Sequence, residues 1–432
     1  MTVSKDITTR LRAALDCDAA VELLQAAIGR ESITGHEENF VAFLEDRMRV
    51  LGLSEIRRAE FAPGRPNVWG ERKGAGAGKR LLFIGHTDTV HVEGWREHWA
   101  GTAKQDPFAA PMIDGQIWGR GAGDLKAGIC SALSALSLLD TADIQLAGDV
   151  AFAFVGDEES GQPGTGVSAG IKDFVGRIER GEVVAPDFVV YVEPTRLSVY
   201  PAQIGFFITD ITITGRSAYF GVPELGKDAL RASHAVMSAL WKHSEDVATR
   251  AEHPLIGRGF LLITGLAGGG YIAVPERCTL SLIRKLLPGE SLDEAAAEIE
   301  AVVRGAIADP EIMLAFAYPA GRDHPLGGNA AEIAPDRPEV GALAAAMARS
   351  MAGRGAIEGA PFWSESSFFT NRLGIPAVYC APGDIRNCHT FDEHVDVEEY
   401  LAGVVGFARF MVEYCGVTDE GQLRAKMGER PC

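Results

Sequence analysis

The 432-residue sequence has few cysteines and no cysteine pattern. The seven cysteines are odd in number, scattered along the chain, and include no C-x-x-C pair. We therefore expect reduced thiols, and neither a disulfide framework nor a cysteine-based zinc knuckle. The start of the sequence shows no basic segment followed by an apolar core, and no run of about 18 apolar residues occurs. The sequence predicts a cytoplasmic protein with no membrane partner.

Positive charge is also scarce. The 41 Lys and Arg residues face 59 Asp and Glu residues, which gives a formal net charge of −18. This balance argues against nucleic acid or an anionic membrane as a partner. Hydrophobic residues make up 47% and charged residues 23%, as in ordinary soluble globular proteins. We find no internal repeat, and the length predicts two domains, because single cores rarely exceed about 300 residues.

Three acidic side chains follow a predicted buried strand. The apolar run at 150–155 stops at Gly156, and Asp157, Glu158 and Glu159 come next. Like charges at the end of a buried strand repel one another, so each must be hydrated, paired or bound to a metal. The turn is either simply solvated, or it places one carboxylate on a metal with its neighbour acting as a base.

Two further apolar runs end on polar side chains. The run at 81–84 leads into His86 and Asp88, a spacing that suits a metal-binding histidine whose second nitrogen donates to a carboxylate. A plain hydrogen bond in a loop is the alternative. The run at 188–192 leads into Glu193. Because ligands of α/β sheets bind beyond the carboxyl ends of the strands, we expect these groups to converge.

A glycine-rich segment at 119–128 resembles a phosphate loop at first sight. Its spacing fits neither the Walker A pattern nor the dinucleotide-binding pattern. The glycines instead predict a tight turn that presents Asp124, followed by a helix from about Lys126. Near the start of the chain, Thr34 and Glu37 have the spacing of a capping box for the helix that follows.

The order of predicted elements indicates an α/β protein with a mixed, mostly parallel sheet flanked by helices. Alternating strands between 203 and 318, in the order β-α-β-β-α-β, predict an inserted α+β, ferredoxin-like domain. The catalytic domain then comprises residues 1–202 and 319–432. Exposed strand edges in the insert favour a homodimer or higher homo-oligomer through this lid or dimerisation domain.

Five predicted strand-end and loop groups form a plausible ligand set for two metal ions. They are His86, Asp124, Glu159, Glu193 and His389, with Asp88 and Glu158 beside them. Two imidazoles and three carboxylates, one of them bridging, are what two first-row divalent ions about 3.5–4 Å apart require. Zinc, manganese and cobalt all accept such ligands, and one or both sites could be filled.

The motifs that carry these groups resemble those of a known family. They are G-H-T-D-T-V at 85–90, G-R-G-A-G-D-L-K-A-G at 119–128, G-D-E-E-S-G at 156–161, V-E-P-T at 192–195, P-G at 288–289 and N-C-H-T-F-D-E at 387–393. The set and its order resemble metallopeptidase family 20. That family includes aminoacylase, acetylornithine deacetylase, succinyl-diaminopimelate desuccinylase and glutamate carboxypeptidase, and its catalytic domain has a zinc-peptidase-like fold.

The resemblance implies a role for each residue. One ion would be held by His86, Asp124 and Glu193, and the other by Asp124, Glu159 and His389. Asp88 would orient His86, and Glu158 would act as the base. The family often has a non-proline cis peptide after the bridging aspartate, here Asp124–Leu125. Arg284 would grip a substrate carboxylate, the alternative being a surface ion pair.

Two positions depart from the family pattern. Tyr219 stands where the family usually has a histidine that stabilises an oxyanion, and Ile272, next to Tyr271, stands where it has an asparagine. The simplest expectation is still hydrolysis of an N-acyl amino acid or another small carboxylate-bearing substrate. The departures favour an alternative, release of ammonia from an aromatic amino acid, as nitroanthranilate aminohydrolase of the same family does. A non-catalytic binding protein of the same fold is a third reading.

Overall fold

The computed structural model describes residues 5–159 and 164–418. Ser160 and Gly161 of the acidic motif, and Cys432, lie outside the described residues. In the described part the helices are α1 (Lys5–Ala14), α2 (Cys17–Ile28), α3 (Glu38–Val50), α4 (Trp95–His98), α5 (Ala127–Thr141), α6 (Ala169–Glu179), α7 (Ala229–Arg250), α8 (Leu292–Gly305), α9 (Pro338–Ser350) and α10 (Val397–Cys415). The strands are β1 (Ser54–Ala62), β2 (Arg65–Arg72), β3 (Leu81–His86), β4 (Met112–Ile113), β5 (Gln116–Trp118), β6 (Val150–Val155), β7 (Phe188–Tyr191), β8 (Val199–Gln203), β9 (Gly205–Thr214), β10 (Glu252–His253), β11 (Gly257–Arg258), β12 (Phe260–Gly268), β13 (Arg277–Leu286), β14 (Met313–Ala317), β15 (Gly327–Gly328), β16 (Ala331–Glu332), β17 (Ile357–Ala360), β18 (Ala377–Tyr379) and β19 (His394–Asp396).

The chain divides into two compact units. The first comprises residues 1–201, 333–358 and 368–432, and the second comprises residues 202–332 and 359–367. The sequence predicted an insert from 203 to 318. In the structure the long segment of the second unit ends at Glu332, and β15 within it pairs with β9. Residues 359–367 also belong to this unit.

The first unit is built on a mixed sheet. Its strands lie in the order β1-β2-β6-β3-β7-β18, and β18 also pairs with β8 through Tyr200. The pairs β6–β3, β3–β7 and β7–β18 are parallel, whereas β1, β2 and β8 join in antiparallel fashion. Every residue of β3, β6 and β7 is buried, as expected for central strands covered on both faces. The predicted α/β class is confirmed.

Helix α5 is the core helix of the first unit. In the described part of the chain, the segment Ala122–Thr141 is long and apolar enough to cross a bilayer, and 94% of its apolar window is buried inside the protein. Gly128 explains the close packing, because a Cβ there would lie 2.2 Å from the carbonyl oxygen of Val192. The helix therefore sits directly against the chain that leaves β7.

The predicted capping box at Thr34 and Glu37 is wrong. Helix α3 begins at Glu38, and Glu37 makes no side-chain cap bond. Glu37 instead pairs with Arg65, and the Thr34 hydroxyl donates to Asp88 Oδ2 at 3.1 Å. Burial explains the difference, because both side chains are fully buried and satisfy tertiary partners rather than the helix end.

The second unit is an antiparallel sheet with two long helices. The strands lie in the order β12-β13-β9-β14, with β15 also on β9, and α7 and α8 contribute to one apolar core with them. Strand β9 alternates between buried and half-buried residues along its whole length. Apart from the short pair β10–β11 between α7 and β12, the chain order β9-α7-β12-β13-α8-β14 matches the predicted β-α-β-β-α-β order.

Candidate metal centre

The carboxyl ends of the parallel strands bring the predicted ligands together. His86 is the last residue of β3, Glu159 lies four residues after β6, and Glu193 lies two residues after β7. His389 lies in the loop after β18, with a backbone φ of 62°. All of these side chains belong to the first unit. His86, Asp124 and Glu159 present ligand atoms within 4.8 Å of one another.

Asp124 lies between the two histidines. His86 Nε2 is 3.0 Å from Asp124 Oδ1, and His389 Nε2 is 3.2 Å from Asp124 Oδ2. Each oxygen of this carboxylate therefore faces a different imidazole, which is the arrangement that a bridging carboxylate needs.

Each histidine also lies beside a second carboxylate. Glu193 Oε1 is 3.7 Å from His86 Nε2, and Glu159 Oε1 is 2.7 Å from His389 Nε2. The groups thus separate into the two sets that the resemblance implied, with Asp124 shared. His86 and the three carboxylates are buried, whereas 53% of the His389 side chain is exposed, so the centre opens on the His389 side.

The turn that carries Asp124 depends on glycine. Gly121 has a φ of 82°, and a Cβ there would lie 2.9 Å from Thr89 Cγ2. The segment Ala122–Lys126, called the aspartate turn below, departs from helical geometry at Asp124. The Asp124–Leu125 peptide is cis, as the resemblance implied. Helix α5 follows at once, close to the predicted start.

Asp88 hydrogen-bonds His86 through its backbone carbonyl, and its carboxylate Oδ1 lies 3.8 Å from the same ring nitrogen, Nδ1. His86 Nδ1–H donates to the Asp88 carbonyl oxygen at 2.9 Å, which leaves Nε2 free as a ligand atom. The Asp88 carboxylate accepts the backbone N–H groups of Glu158, at 3.3 Å, and Glu159, at 2.9 Å. The sequence predicted that Asp88 would orient His86. The structure adds a second contact, because the same residue also holds the turn formed by residues 157–159, called the acidic turn below.

Asp157 is a residue whose part the sequence reasoning missed. Its carboxylate accepts backbone N–H groups of Gly166, Val167 and Ala169 at 3.0–3.1 Å, and it pairs with Arg65 Nη1 at 2.8 Å. It therefore organises the chain after the acidic turn. The sequence did contain a hint, because roles were assigned to only two of the three consecutive acidic residues.

Burial and neighbouring charges both shift the pKa values of these groups. Burial lowers the pKa of His86, but the carboxylates of Asp124 and Glu193 raise it well above its ordinary value. Hydrogen bonds to Asp124 and Glu159 raise the pKa of His389 to about 11. Burial and the charge of Asp124 raise the pKa of Glu159.

The ligand set fits divalent cations. Three buried carboxylates around two imidazoles give the site an excess of negative charge. A buried charge without a counter-charge is energetically costly. The pKa values of both histidines are raised for the same reason, because the surrounding carboxylates stabilise a positive charge there. Glu158 is half-buried, and its charge raises the pKa of both His86 and Glu159, so it lies within electrostatic reach of the centre.

The residues predicted to contact substrate lie in the second unit. Tyr219 pairs with Ala273 in an isolated antiparallel bridge, which places the segment of Tyr219 beside that of Tyr271 and Ile272. All three side chains are exposed. Two segments separated by about fifty residues in the chain thus form one exposed aromatic and aliphatic surface in this unit.

Arg284 lies among the buried residues of the second unit. Arg284 is only 1% exposed, on the face of β13 that packs into the core of the second unit. Its Nη2 lies 2.6 Å from Glu290 Oε1. The guanidinium therefore forms a partly buried ion pair, since 32% of the Glu290 side chain is exposed. That Arg284 grips a substrate carboxylate stays a prediction. The ion pair named as the alternative is present, between a buried arginine and a partly exposed glutamate.

Comparison with known proteins assigns the family. The profile of the Peptidase family M20/M25/M40 matches residues 82–413, which is more than three quarters of the chain and includes all the ligand positions. The chain belongs to the peptidase family M20/M25/M40. This M20 protein is therefore a hydrolase of that family, and the resemblance seen in the sequence is confirmed.

Individual relatives of this M20 protein are distant. It is 26% identical over 404 residues, 88% of this chain and 89% of the relative, to an N-formyl-4-amino-5-aminomethyl-2-methylpyrimidine deformylase of Bacillus subtilis. It is 32% identical over 237 residues to a succinyl-diaminopimelate desuccinylase of Methylobacterium radiotolerans. That second match spans 52% of this chain and only about half, 56%, of the relative.

A solved structure supports the fold. Human carnosine dipeptidase 1 superposes with a TM-score of 0.73 at 15% identity, over 95% of this chain and 98% of that chain. At this identity the likeness establishes the fold alone.

Proposed function

We propose that this M20 protein is a divalent-metal-dependent hydrolase that cleaves a C–N bond, other than a peptide bond, in a small carboxylate-bearing substrate. In its simplest form the reaction is the deacylation of an N-acyl amino acid. The observation that supports the proposal is the position of Asp124, whose two oxygens face two different histidines, each beside a further carboxylate.

His86, Asp124 and Glu193 would hold one ion, and Asp124, Glu159 and His389 the other. Bound divalent ions would act as Lewis acids on the scissile group and make water more acidic at the site. The ligand set accepts zinc, manganese or cobalt.

The protein's own residues prepare the proton transfers. In our proposal Glu158 takes a proton from the attacking water, whose oxygen forms a bond to the acyl carbon. As the C–N bond breaks, Glu158 returns the proton to the leaving nitrogen. Asp88 supports this role, because its carboxylate holds the backbone N–H groups of Glu158 and Glu159 and so sets the direction of the acidic turn.

The names of the relatives support an acyl substrate. The matched relatives are described as a deformylase and a desuccinylase, which remove one-carbon and four-carbon acyl groups from nitrogen.

A second candidate is release of ammonia from an aromatic amino acid. The observation that favours it is the exposed surface formed by Tyr219, Tyr271 and Ile272. A tyrosine donates a hydrogen bond to an oxyanion but carries no charge, so it helps a tetrahedral intermediate less than a protonated histidine would. A flat aromatic acid, whose ring disperses negative charge, needs less of that help.

The test is a screen of the purified protein with added Zn²⁺, Mn²⁺ or Co²⁺. N-formyl, N-acetyl and N-succinyl amino acids are assayed for release of the carboxylic acid, and amino-nitrobenzoates for release of ammonia. Acid release supports the first proposal and ammonia release the second.

Glu158→Gln tests the base directly. We expect Glu158→Gln to bind metal nearly as the parent protein does and to lose turnover by at least about 100-fold, because general acid–base catalysis contributes about 10²–10⁴-fold. Glu60→Gln, which changes an exposed glutamate on β1, is the matched control. Unchanged turnover in Glu158→Gln would refute the assigned base.

The oligomer and the location belong to the same proposal. A homodimer or higher homo-oligomer through the second unit, and a cytoplasmic location, are the predictions that sizing chromatography and cell fractionation check.

A further inference from the structure

Two residues of the family-like motifs have no part in the proposed chemistry. Arg120 precedes the aspartate turn, and Glu393 ends the motif that contains His389. Both lie in the first unit. Arg120 is 3% exposed and Glu393 is fully buried. Burying a charged pair is costly unless each partner is fully engaged, so their contacts need an explanation.

Glu393 has a different partner for each carboxylate oxygen. Its Oε2 accepts a hydrogen bond from Arg120 Nη1. Its Oε1 accepts the backbone N–H groups of Gly123, at 3.2 Å, and Asp124, at 3.0 Å. Glu393 therefore binds the aspartate turn at the peptide unit of the shared ligand itself.

Arg120 links the same glutamate to the segment that carries His389. We call residues 387–394 the histidine loop. Arg120 Nη2 donates to the carbonyl oxygen of Thr390 at 3.4 Å, one residue after His389, and its guanidinium lies over the ring of Trp95 at 5.2 Å. The backbone adds a further bond, from Gly119 N–H to the Glu393 carbonyl oxygen at 3.2 Å.

Aromatic side chains fix the other side of the histidine loop. The Trp99 indole N–H donates to the Phe391 carbonyl oxygen at 2.8 Å. The Phe391 ring stacks on His98 with a centroid separation of 4.7 Å and meets Trp95 edge-on. The loop is thus held at several points, whereas His389 itself is half-exposed and contacts Asp124 and Glu159 through its ring nitrogen.

From these contacts we propose that Arg120 and Glu393 are positioning residues of the metal centre, and we call them the Arg120–Glu393 bridge. The bridge joins the aspartate turn to the histidine loop, so that one buried pair sets the separation of Asp124 and His389. The inference rests on the metal centre of the proposed function. It adds that the affinity for metal depends on two residues, Arg120 and Glu393, that are not themselves metal ligands.

Glu393→Gln is the decisive variant. A glutamine of the same shape has one accepting oxygen, so it serves either the backbone N–H groups of Gly123 and Asp124 or Arg120, but not both. We expect Zn²⁺ affinity to fall by about 10- to 100-fold, the usual effect of losing a partner that orients metal ligands. Chelator-treated protein is titrated with Zn²⁺ by calorimetry, and bound zinc is counted after desalting.

Glu71→Gln is the matched control. Glu71 lies on β2, is 6% exposed, and pairs with Arg80 and Lys73, so its replacement also breaks a buried acid–base pair in the first unit. No contact links it to the aspartate turn or the histidine loop among the described residues. We expect Glu71→Gln to lower the unfolding temperature as Glu393→Gln does while keeping parental Zn²⁺ affinity.

The outcomes separate the bridge from the proposed function. Parental protein that binds no Zn²⁺ would refute the metal centre itself. Two bound ions in the parental protein with unchanged affinity in Glu393→Gln would refute the bridge alone, as would equal losses in Glu71→Gln and Glu393→Gln. If Glu393→Gln does not fold, Arg120→Lys replaces it, because lysine keeps the charge but cannot reach Glu393 and Thr390 together. Parental affinity in that variant would equally overturn the proposal.

Discussion

The replacement Asp88→Asn separates two ways in which one buried aspartate supports the centre. The Asp88 backbone carbonyl accepts a hydrogen bond from His86, and its carboxylate accepts bonds from the backbone of Glu158 and Glu159. Asn keeps the backbone carbonyl, so the bond to His86 remains. Its amide has a single accepting oxygen, and the amide NH₂ must then face a backbone N–H of the acidic turn.

The size of the effect follows from those bonds. Leaving one buried N–H without a partner costs about 1–3 kcal/mol. If that loss falls on the position of Glu158 in the transition state, kcat decreases by about 5- to 150-fold, since each 1.36 kcal/mol corresponds to about tenfold in rate. The ligand atoms of His86 and Asp124 are not touched, so we expect Zn²⁺ affinity to change by less than about threefold on the same argument.

The assay combines turnover of metal-saturated enzyme with a calorimetric Zn²⁺ titration. Asp149→Asn is the control, because Asp149 also accepts a backbone N–H, that of Gly74 at 2.9 Å, and lies among basic side chains. We expect the control to keep both activity and affinity. If Asp88→Asn loses Zn²⁺ affinity while saturated enzyme turns over normally, Asp88 acts through His86 and the reasoning about the acidic turn is wrong.

Three further predictions concern protons and the second unit. Because hydrogen bonds to Asp124 and Glu159 raise the pKa of His389 from 6.5 to about 11, metal-free protein carries a proton there at pH 7. Zn²⁺ binding should release it, which calorimetry in two buffers of different ionisation enthalpy measures; equal heats in both buffers would contradict this. The same raised pKa stabilises the metal-free fold fully below about pH 6.5, and that stability is lost as pH rises toward 11, so the unfolding temperature of metal-free protein should fall over this window. Tyr219→His should raise N-acyl hydrolysis by about tenfold or more if position 219 serves the oxyanion, with Tyr219→Phe as the control; no gain in Tyr219→His would remove position 219 from the reaction.

Much of the first unit was predictable because its signals are local. Buried parallel strands appear in the sequence as short apolar runs. Polar side chains directly after such runs are seldom needed for packing, so they indicate a functional site. These patterns predict His86 and Glu193 at strand ends, and in the structure His86 Nε2 lies 3.7 Å from Glu193 Oε1. The glycines before Asp124 similarly indicated a tight turn, which the φ of Gly121 confirms.

Other features could not be read from the chain because they depend on partners distant in sequence. Thr34 and Glu37 have capping-box spacing, yet burial gives them Asp88 and Arg65 as partners instead. The burial of Arg284 on the core face of its strand likewise depends on how the second unit packs.

The sequence by itself determined the class of sheet, the order of the elements in the second unit, and the kind of side chains that meet at the strand ends. These follow from hydrophobic periodicity and from the cost of placing charge beside a buried strand. Only the tertiary structure decided which oxygen of Asp124 faces which histidine, that Asp88 also holds the acidic turn, and that Glu393 ties the aspartate turn to a loop about 270 residues away. The physical reason is that hydrogen bonds are short and directional, so their partners are fixed by distances that no pattern along the chain contains.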